Sequence, residues 1–426
     1  MKQPTNPPKL PWAFLKWFCK SEYLPDVEGD LLEYYDRRVD VLGRRKANWL
    51  FVKDVLLLFR PGMIRSINEY QRLRIMDLLL HSFKVSFRNF KKYRSSFFIN
   101  LLGLSTGLAC VLFIFLWVQD ELAVDQFHSK GDRLYQLLEN VDQNGGMITR
   151  TTTAGLTSIG LMEDFPEIER AVSTTWNSSN ALFIGDKSIT ADGFYAHDGF
   201  FHVFDWGAIQ GNLDQLLSEP NNIVLSDQLA KHLFGEEDPI GQTVELEGEE
   251  SYQVSGVFSG LPEASTIQFE YVIPFSKFFS NNEWSQNWYN TAFSTYILFK
   301  EGTDVAAFNE KVYEYIREKT EGKTNHRSPF ATSFGDRYLN GKYENGVQAG
   351  GRIEYVRLFS AIATFILLIA CINFMNLSTA RASRRLKEIG VKKTVGAARR
   401  SLIIQFLSES LLLMGISMVV ALLFVW

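Results

Sequence analysis

The stretch RASRRLKEIGVKKTVGAARR, residues 381–400, decides how this chain is read. It carries eight cations, Arg381, Arg384, Arg385, Lys387, Lys392, Lys393, Arg399 and Arg400, against one acid, Glu388. Apolar runs long enough to cross a bilayer lie on both sides of it. A basic loop between two such spans belongs on the cytoplasmic side. Inside it sit Leu386, Ile389, Val391 and Val395, with Gly390 and Gly396 beside them. A loop that only had to stay in water would not need those apolar residues. Two readings stay open. A short helix here docks on a soluble partner, with Leu386, Ile389 and Val391 as contacts and the cations as rim. Or the loop is a positive-inside tether that touches lipid headgroups.

The spans follow from this loop outward. Before it, residues 356–378 form an apolar run with Asn373 and Asn376 near its inner end, placed to bond a neighbouring helix or reach headgroups. After it, residues 402–426 form another, with Glu409 in its first turns. A carboxylate at that depth faces protein or water, and a cation of the basic loop is its expected partner. A third run, residues 97–118, contains no charge. At about 1.5 Å per residue it covers the ~30 Å hydrocarbon core. Cations precede it, and Asp120, Glu121 and Asp125 follow it, so the N-terminus is expected inside and the next segment outside. Gly103 and Gly107 form a GxxxG pair that would let a second helix approach closely. Trp117 and Trp426 are expected at the outer interface.

Between the first two spans lies a long polar insert, residues 119–355, facing away from the cytoplasm. YQVSGVF at 252–258 and TYILFK at 295–300 read as strands. Residues 227–234 read as a helix with Ser226 as N-cap and Gly235 as its stop, and residues 305–319 as another. The insert is therefore an α+β domain, with two lobes in view, and is large enough to bury its own core. It contains no cysteine, so no disulfide frame holds it. Cys19, Cys110 and Cys371 read as small buried hydrophobes.

The N-terminal part, residues 1–76, reads as a small all-α cytoplasmic module. Residues 24–43 have helical apolar spacing ending at Gly43, and a second helix is expected over 49–59 before Pro61 and Gly62. Docking or regulation is one reading of the module; a solvated helical cap is the other. Residues 78–96 then place Leu79, Phe83, Phe87 and Phe90 on one face, as in an amphipathic helix lying in the membrane interface.

The composition excludes several functions. Net charge is −4, and Arg37, Arg38, Arg44, Arg45 and Lys46 are interleaved with Asp36 and Asp40, so nucleic acid is not an expected partner. His197 and His202 lack a third ligand at metal-site spacing, and no metal is expected. Gly322-Lys323-Thr324 resembles the end of a phosphate loop, but Arg317 stands where its first glycine would be. No nucleophile motif is present, so no catalytic residue is assigned. The aromatics Phe200, Phe201, Phe204, Trp206, Trp284, Trp288 and Tyr289 read mostly as core packing, with a ligand or partner surface as the sharper reading.

Five segments carry a family resemblance. LIACINFMNLSTARASRRLKEIGVKKTVGAARRSLIIQFLSES resembles the permease core of FtsX-like, MacB-like ABC transporters. FHVFDWGAIQGN, NNIVLSDQLAKHLFGEEDPIGQTVEL and YQVSGVFSGLPEASTIQFEY resemble their periplasmic domain. FRNFKKYRSSFFINLLGLSTGLACVLFIFLWVQDELAVDQFH resembles their entry helix and first span. The N-terminal module is similar to a prefix domain of some Bacteroidetes members.

The resemblance implies a permease subunit in the bacterial inner membrane, multi-pass, with its N-terminus cytoplasmic and its large domain periplasmic. It implies a separate cytoplasmic ATPase that binds the ATP, the chain itself taking no cofactor. Other implied partners are a second permease half or a dimer mate, membrane lipid, and a periplasmic adaptor or outer-membrane channel. The coupling segment over residues 379–401 would then place Leu386, Glu388, Ile389, Gly390, Val391, Lys393, Val395, Gly396 and Ala397 against the ATPase. Closure of the ATPase would move the outer domain for export, lipoprotein extraction or control of envelope machinery. Such members have at least four spans, so a chain showing three is expected to be an N-terminal fragment. The rival is a membrane-anchored extracytoplasmic sensor without transport activity.

Overall fold

The computed structural model describes residues 7–20, 22–60, 63, 88, 90, 94–143, 145–206, 209–247, 250–384, 386–396 and 399–426. It divides into two compact units. One is Met1–Leu104 with Asn373–Val420; the other is Ser105–Ile372 with Ala421–Trp426.

The first unit opens with three helices, α1 (Lys9–Phe18), α2 (Leu24–Leu42) and α3 (Arg44–Leu57). Gly43 separates α2 from α3 with φ near 78°, a left-handed value that a glycine adopts without a Cβ clash. Leu15, Phe18, Leu31, Tyr35, Ala47, Phe51 and Val55 form the shared core. The third helix begins five residues earlier than the apolar spacing suggests, because Gly43 ends one helix and directly starts the next. Arg38 pairs with Asp54 across α2 and α3. Cys19 is buried here as expected. Pro61, Gly62 and most of the amphipathic segment 78–96, including Leu79, Phe83 and Phe87, lie outside the described residues.

Among the described residues, three helices are long and apolar enough to cross a membrane. They are α4 (Arg94–Ala123), α10 (Arg352–Arg384) and α12 (Arg399–Val425), the labels between them being assigned below. The first two extend beyond the uncharged runs at their outer ends, into the polar residues around Glu121 and Arg352. Cys110 and Cys371 correct the sequence reading, since both are exposed. They sit on helix faces that no other described part of the chain covers.

The domain between α4 and α10 is α+β. Its strands are β1 (Leu134–Gln143), β2 (Gly146–Arg150), β3 (Thr153–Ala154), β4 (Ile168–Thr174), β5 (Ser178–Ile184), β6 (Lys187–Ala196), β7 (Ile209–Gln210), β8 (Asn222–Ser226), β9 (Thr243–Leu246), β10 (Glu250–Phe258), β11 (Tyr271–Pro274), β12 (Thr291–Phe299) and β13 (Arg327–Ser333). Its helices include α5 (Thr157–Asp164), α6 (Asp227–Phe234), α7 (Val305–Val312), α8 (Tyr315–Lys319) and α9 (Phe334–Asn340). Between α10 and α12 lies α11 (Leu386–Thr394).

Hydrogen-bonded pairing divides the strands into two lobes. β6, β11, β8, β10, β9 and β5 pair in a closed ring, each with the next and β5 back to β6. Closure leaves this lobe no long free edge. Leu182, Ile223, Leu225, Val244, Tyr252, Val254 and Ile273 fill it, and α6 adds Leu229 and Leu233. Ser226 caps α6, accepting the Leu229 N–H, and Gly235 ends it, as its sequence signals. The second lobe is an open sheet in the order β4-β12-β1-β13, packed on α5, α7 and α8 around Phe299, Phe308, Val312 and Ile316. The lobes join where β4 meets β6 through one registered pair, Thr174 with Ala196. The helix expected over 305–319 breaks in two, because Glu314 leaves helical geometry with ψ near 0°. Its apolar face survives the break, with Phe308, Val312, Tyr315 and Ile316 all buried.

The glycines of α4 make a helix contact. A Cβ on Gly107 would lie 2.9 Å from the Ala370 Cβ, and one on Gly103 would lie 3.0 Å from Asn373 Nδ2. The GxxxG pair thus admits α10 closely, as its spacing suggests. Gly107→Leu is expected to weaken the pairing of these helices by about 1–3 kcal/mol. Unfolding titrations in mixed detergent read this as an earlier midpoint; an unmoved midpoint would show that the close approach contributes nothing.

Candidate functional site

The basic stretch forms α11, followed by a turn at Val395 and Gly396 and then α12. The turn closes by hydrogen bonds from Val395 N–H to Val391 O and from Gly396 N–H to Lys393 O, both 3.1 Å. Gly396 has φ near 94°, where a Cβ would be strained. Lys392 Nζ donates to Gln405 Oε1 at 3.1 Å, fastening α11 to the first turns of α12. Glu409 lies one helical turn beyond Gln405 and is buried.

This arrangement sorts the predicted residues. Leu386, Val391 and Val395 point outward, at 67%, 63% and 83% exposure. Lys393 is exposed, and a Cβ at Gly390 would meet nothing within 4 Å. Ile389 is half-buried, turned to the same side as Lys392. The outward apolar residues are therefore Leu386, Val391 and Val395, with Ile389 partly spent on holding the helix. Glu388 belongs to α11, but its side chain is outside the described residues, as is Ala397 altogether.

A second constellation lies at the domain's base. Arg352, the first residue of α10, donates to both Glu121 carboxylate oxygens near the end of α4, at 3.2 and 3.3 Å. The same guanidinium contacts the Tyr338 hydroxyl of α9 and stacks 4.6 Å from its ring centroid. One turn below Glu121, Trp117 meets Phe359 edge to face at 5.0 Å. Past α4, Asp125 is buried with φ near 58°. Its carboxylate accepts from the Thr266 N–H at 2.8 Å and the Thr266 hydroxyl at 2.5 Å. Gln126 donates to Gly335 O, Ser129 to Asp205, and Lys130 to His202 O. Four residues that leave the first span are thus tied to three parts of the domain, around Thr266, Gly335 and the turn at His202 and Asp205.

The aromatics divide. Phe200, Phe201, Phe204 and Trp206 are core, packed with Phe258, Phe269 and Phe334. Trp284 and Tyr289 are exposed. The Gly322 turn has φ near 78° and terminates α8 through a bond from the Gly322 N–H to Arg317 O. His202 Nε2 lies 3.0 Å from Asp214 Oδ1 at the surface.

His197 joins a buried polar chain that spacing does not reveal. Its Nδ1 accepts the Ser173 N–H at 3.1 Å and lies 3.2 Å from the Ser158 hydroxyl. Ser173 bonds Ser158 at 2.9 Å and Thr295 at 2.8 Å, and Thr295 in turn bonds Thr153 at 2.7 Å. The ring stacks on Phe275 at 4.1 Å. These hydroxyls satisfy one another and no carboxylate orients the ring, so the set stitches α5 to β3, β4 and β12 rather than activating a nucleophile. A bidentate ion pair lies in the same lobe. Arg327 holds Glu139 at 2.6 and 2.7 Å and donates to Trp288 O at 2.7 Å, fixing the loop before β12. Burial pushes the Glu139 carboxyl up, and Arg327 opposes that push.

Residues 97–315 match the model of the MacB-like periplasmic core domain, and residues 360–426 that of the FtsX-like permease C-terminal region. The chain belongs to the FtsX-like permeases with a MacB-like periplasmic core domain. It is a membrane protein with a periplasmic domain, and an ABC transporter permease of the FtsX/MacB type. The macrolide export ATP-binding/permease protein MacB of Haemophilus ducreyi is 22% identical over 82% of this chain and 47% of its own length. The uncharacterized ABC transporter permease YknZ of Bacillus subtilis is 24% identical over 58% of this chain and 59% of its own. A permease domain from Porphyromonas gingivalis is 19% identical, covering 49% of this chain and 93% of that one, with a TM-score of 0.42. The permease spans about half the length of the MacB relative.

The enclosed His197 makes the domain acid-sensitive in a defined window. Burial lowers its pKa from 6.5 to about 4. As pH falls through 6.5 the unfolded chain takes up the proton first, so the stability present above 6.5 is lost progressively down to about 4. The loss is on the order of 3 kcal/mol at most. His128 is shifted down by burial too and acts in the same direction. His197→Gln is expected to be less stable at neutral pH but to lose less between pH 6.5 and 4. Thermal unfolding of the full chain across that window checks this, and parallel slopes would contradict it.

Proposed function

We propose that this permease converts ATP hydrolysis by a separate cytoplasmic ATPase into movement of its periplasmic domain, with α11 as the surface on which the ATPase bears. The observation that carries the reading is the exposure of apolar residues along α11 and the turn after it. Leu386 and Val391 are exposed on this short helix and Val395 on the turn that follows, with Lys393 and Arg399 exposed nearby and open space at Gly390. An apolar centre with a cationic rim fits a groove on a soluble protein better than it fits water. The ABC permease family implies an ATPase partner. On this reading the N-terminus and the loop 379–401 are cytoplasmic. The same movement would serve export, lipoprotein extraction or control of envelope machinery. A second permease half or dimer mate would cover the exposed span faces, and a periplasmic adaptor or outer-membrane channel would meet the domain.

Gly390→Asp tests this cleanly. Its side chain would meet no neighbour, and replacing a helical glycine does not disfavour α11. Ile389→Asp is less clean, since Ile389 is half-buried. The expected result for Gly390→Asp is a loss of roughly tenfold or more in ATPase co-purified from membranes, with membrane insertion unchanged. Undiminished recovery of the ATPase would overturn the assignment.

A further inference from the structure

The helix α3 has two apolar sides. Ala47, Phe51 and Val55, spaced four apart, face the module's core. Arg45, Trp49, Lys53 and Leu56 follow one another at helical spacing along the opposite side, with Lys46 beside them and Arg60 just past the end. All six are exposed, Trp49 at 66%. Lys53 Nζ lies 6.0 Å from the Trp49 ring centroid. The one acid of α3, Asp54, is turned away and paired with Arg38. The neighbouring α2 exposes more acids than cations, Asp26, Asp30, Glu33, Asp36 and Asp40 against Arg37, which pairs with Glu33. The cationic surface free of acids is therefore that of α3.

We propose that the outward side of α3 is a docking surface for anionic lipid headgroups, holding the N-terminal module on the bilayer. The chemistry selects this occupant. An exposed Trp among cations, with Leu56 and Leu57 exposed at the helix end and no unpaired acid, is the composition of an interfacial helix. The indole sits at headgroup level while the cations meet the phosphates. Protein interfaces concentrate Trp and Arg and are depleted in Lys, whereas two of the four cations here are lysines. α1, which packs beside α3, also lacks acids and exposes Trp17. Only 36 residues separate the end of α3 from the start of the first spanning helix. That tether keeps the bilayer at a high effective concentration, so a weak surface is sufficient.

The experiment uses the full chain with Cys19→Ala, Cys110→Ala and Cys371→Ala, and Leu56→Cys carrying a nitroxide. It is reconstituted in vesicles of phosphatidylcholine alone or with phosphatidylglycerol added. With phosphatidylglycerol, the label should be several-fold less accessible to a water-soluble nickel chelate while staying accessible to oxygen. Adding Arg45→Gln, Lys46→Gln and Lys53→Gln, all exposed positions, should restore nickel access. Equal nickel access in both lipids would overturn the proposal. Protection from nickel and oxygen together would overturn it too, since that is burial under protein. Should Cys19→Ala disturb the module, quenching of Trp49 by brominated lipid, taken as wild type minus Trp49→Phe, gives the same decision: no difference overturns the proposal.

Discussion

The structure rests on the fastening of two spanning helices to each other and to the base of the periplasmic domain. Gly107 lets Ala370 approach, Trp117 meets Phe359, and Arg352 grips Glu121 and Tyr338 together. Loose spans would move without the domain. Here, displacement of either helix must drag α9, because Arg352 and Glu121 are joined where the helices emerge. The exposed Arg352–Glu121 pair contributes little stability by itself, of order 0–1 kcal/mol. Its value is geometric, since it pins two helices and an aromatic ring at one point.

Beyond that point the domain is built to keep its shape. The strap after α4 is held by Asp125 to Thr266, by Gln126 to Gly335, and by Ser129 and Lys130 to the turn at His202 and Asp205. The buried hydroxyl chain around His197 and the Glu139–Arg327 pair tie the open sheet to its surrounding loops. The closed ring of strands is a second rigid piece. The one place where pairing thins is the junction of β4 with β6. Across that junction Phe194, Val224, Phe258 and Val272 of one lobe share a buried core with Val172, Tyr296 and Leu298 of the other, which suits a domain that is moved as one piece, the role proposed for it.

Much of this could be read from the residues. Apolar length gave three spans, and Ser226 and Gly235 bounded a helix, because caps and hydrophobic runs are local signals. The Gly103–Gly107 spacing pointed to a close helix contact. The resemblance to FtsX-like permeases led to the family directly. What stayed hidden depends on long-range pairing. No local pattern joins Glu121 to Arg352, 231 positions apart, or His197 to Ser158 across three strands. Glu314 broke a helix whose apolar face continued straight through it. In the coupling stretch the sequence could name Leu386, Ile389 and Val391 together. Only the packing of α11 shows Ile389 turned partly inward while Val395 points out.

The account as a whole requires Val395 and the periplasmic domain to lie on opposite sides of one membrane. Cysteines placed singly at Val395 and at Val347, both exposed, can be challenged with an impermeant maleimide in intact spheroplasts. The account predicts labelling of Val347→Cys at once and of Val395→Cys only after the membrane is opened. Labelling of Val395→Cys in sealed spheroplasts would contradict it.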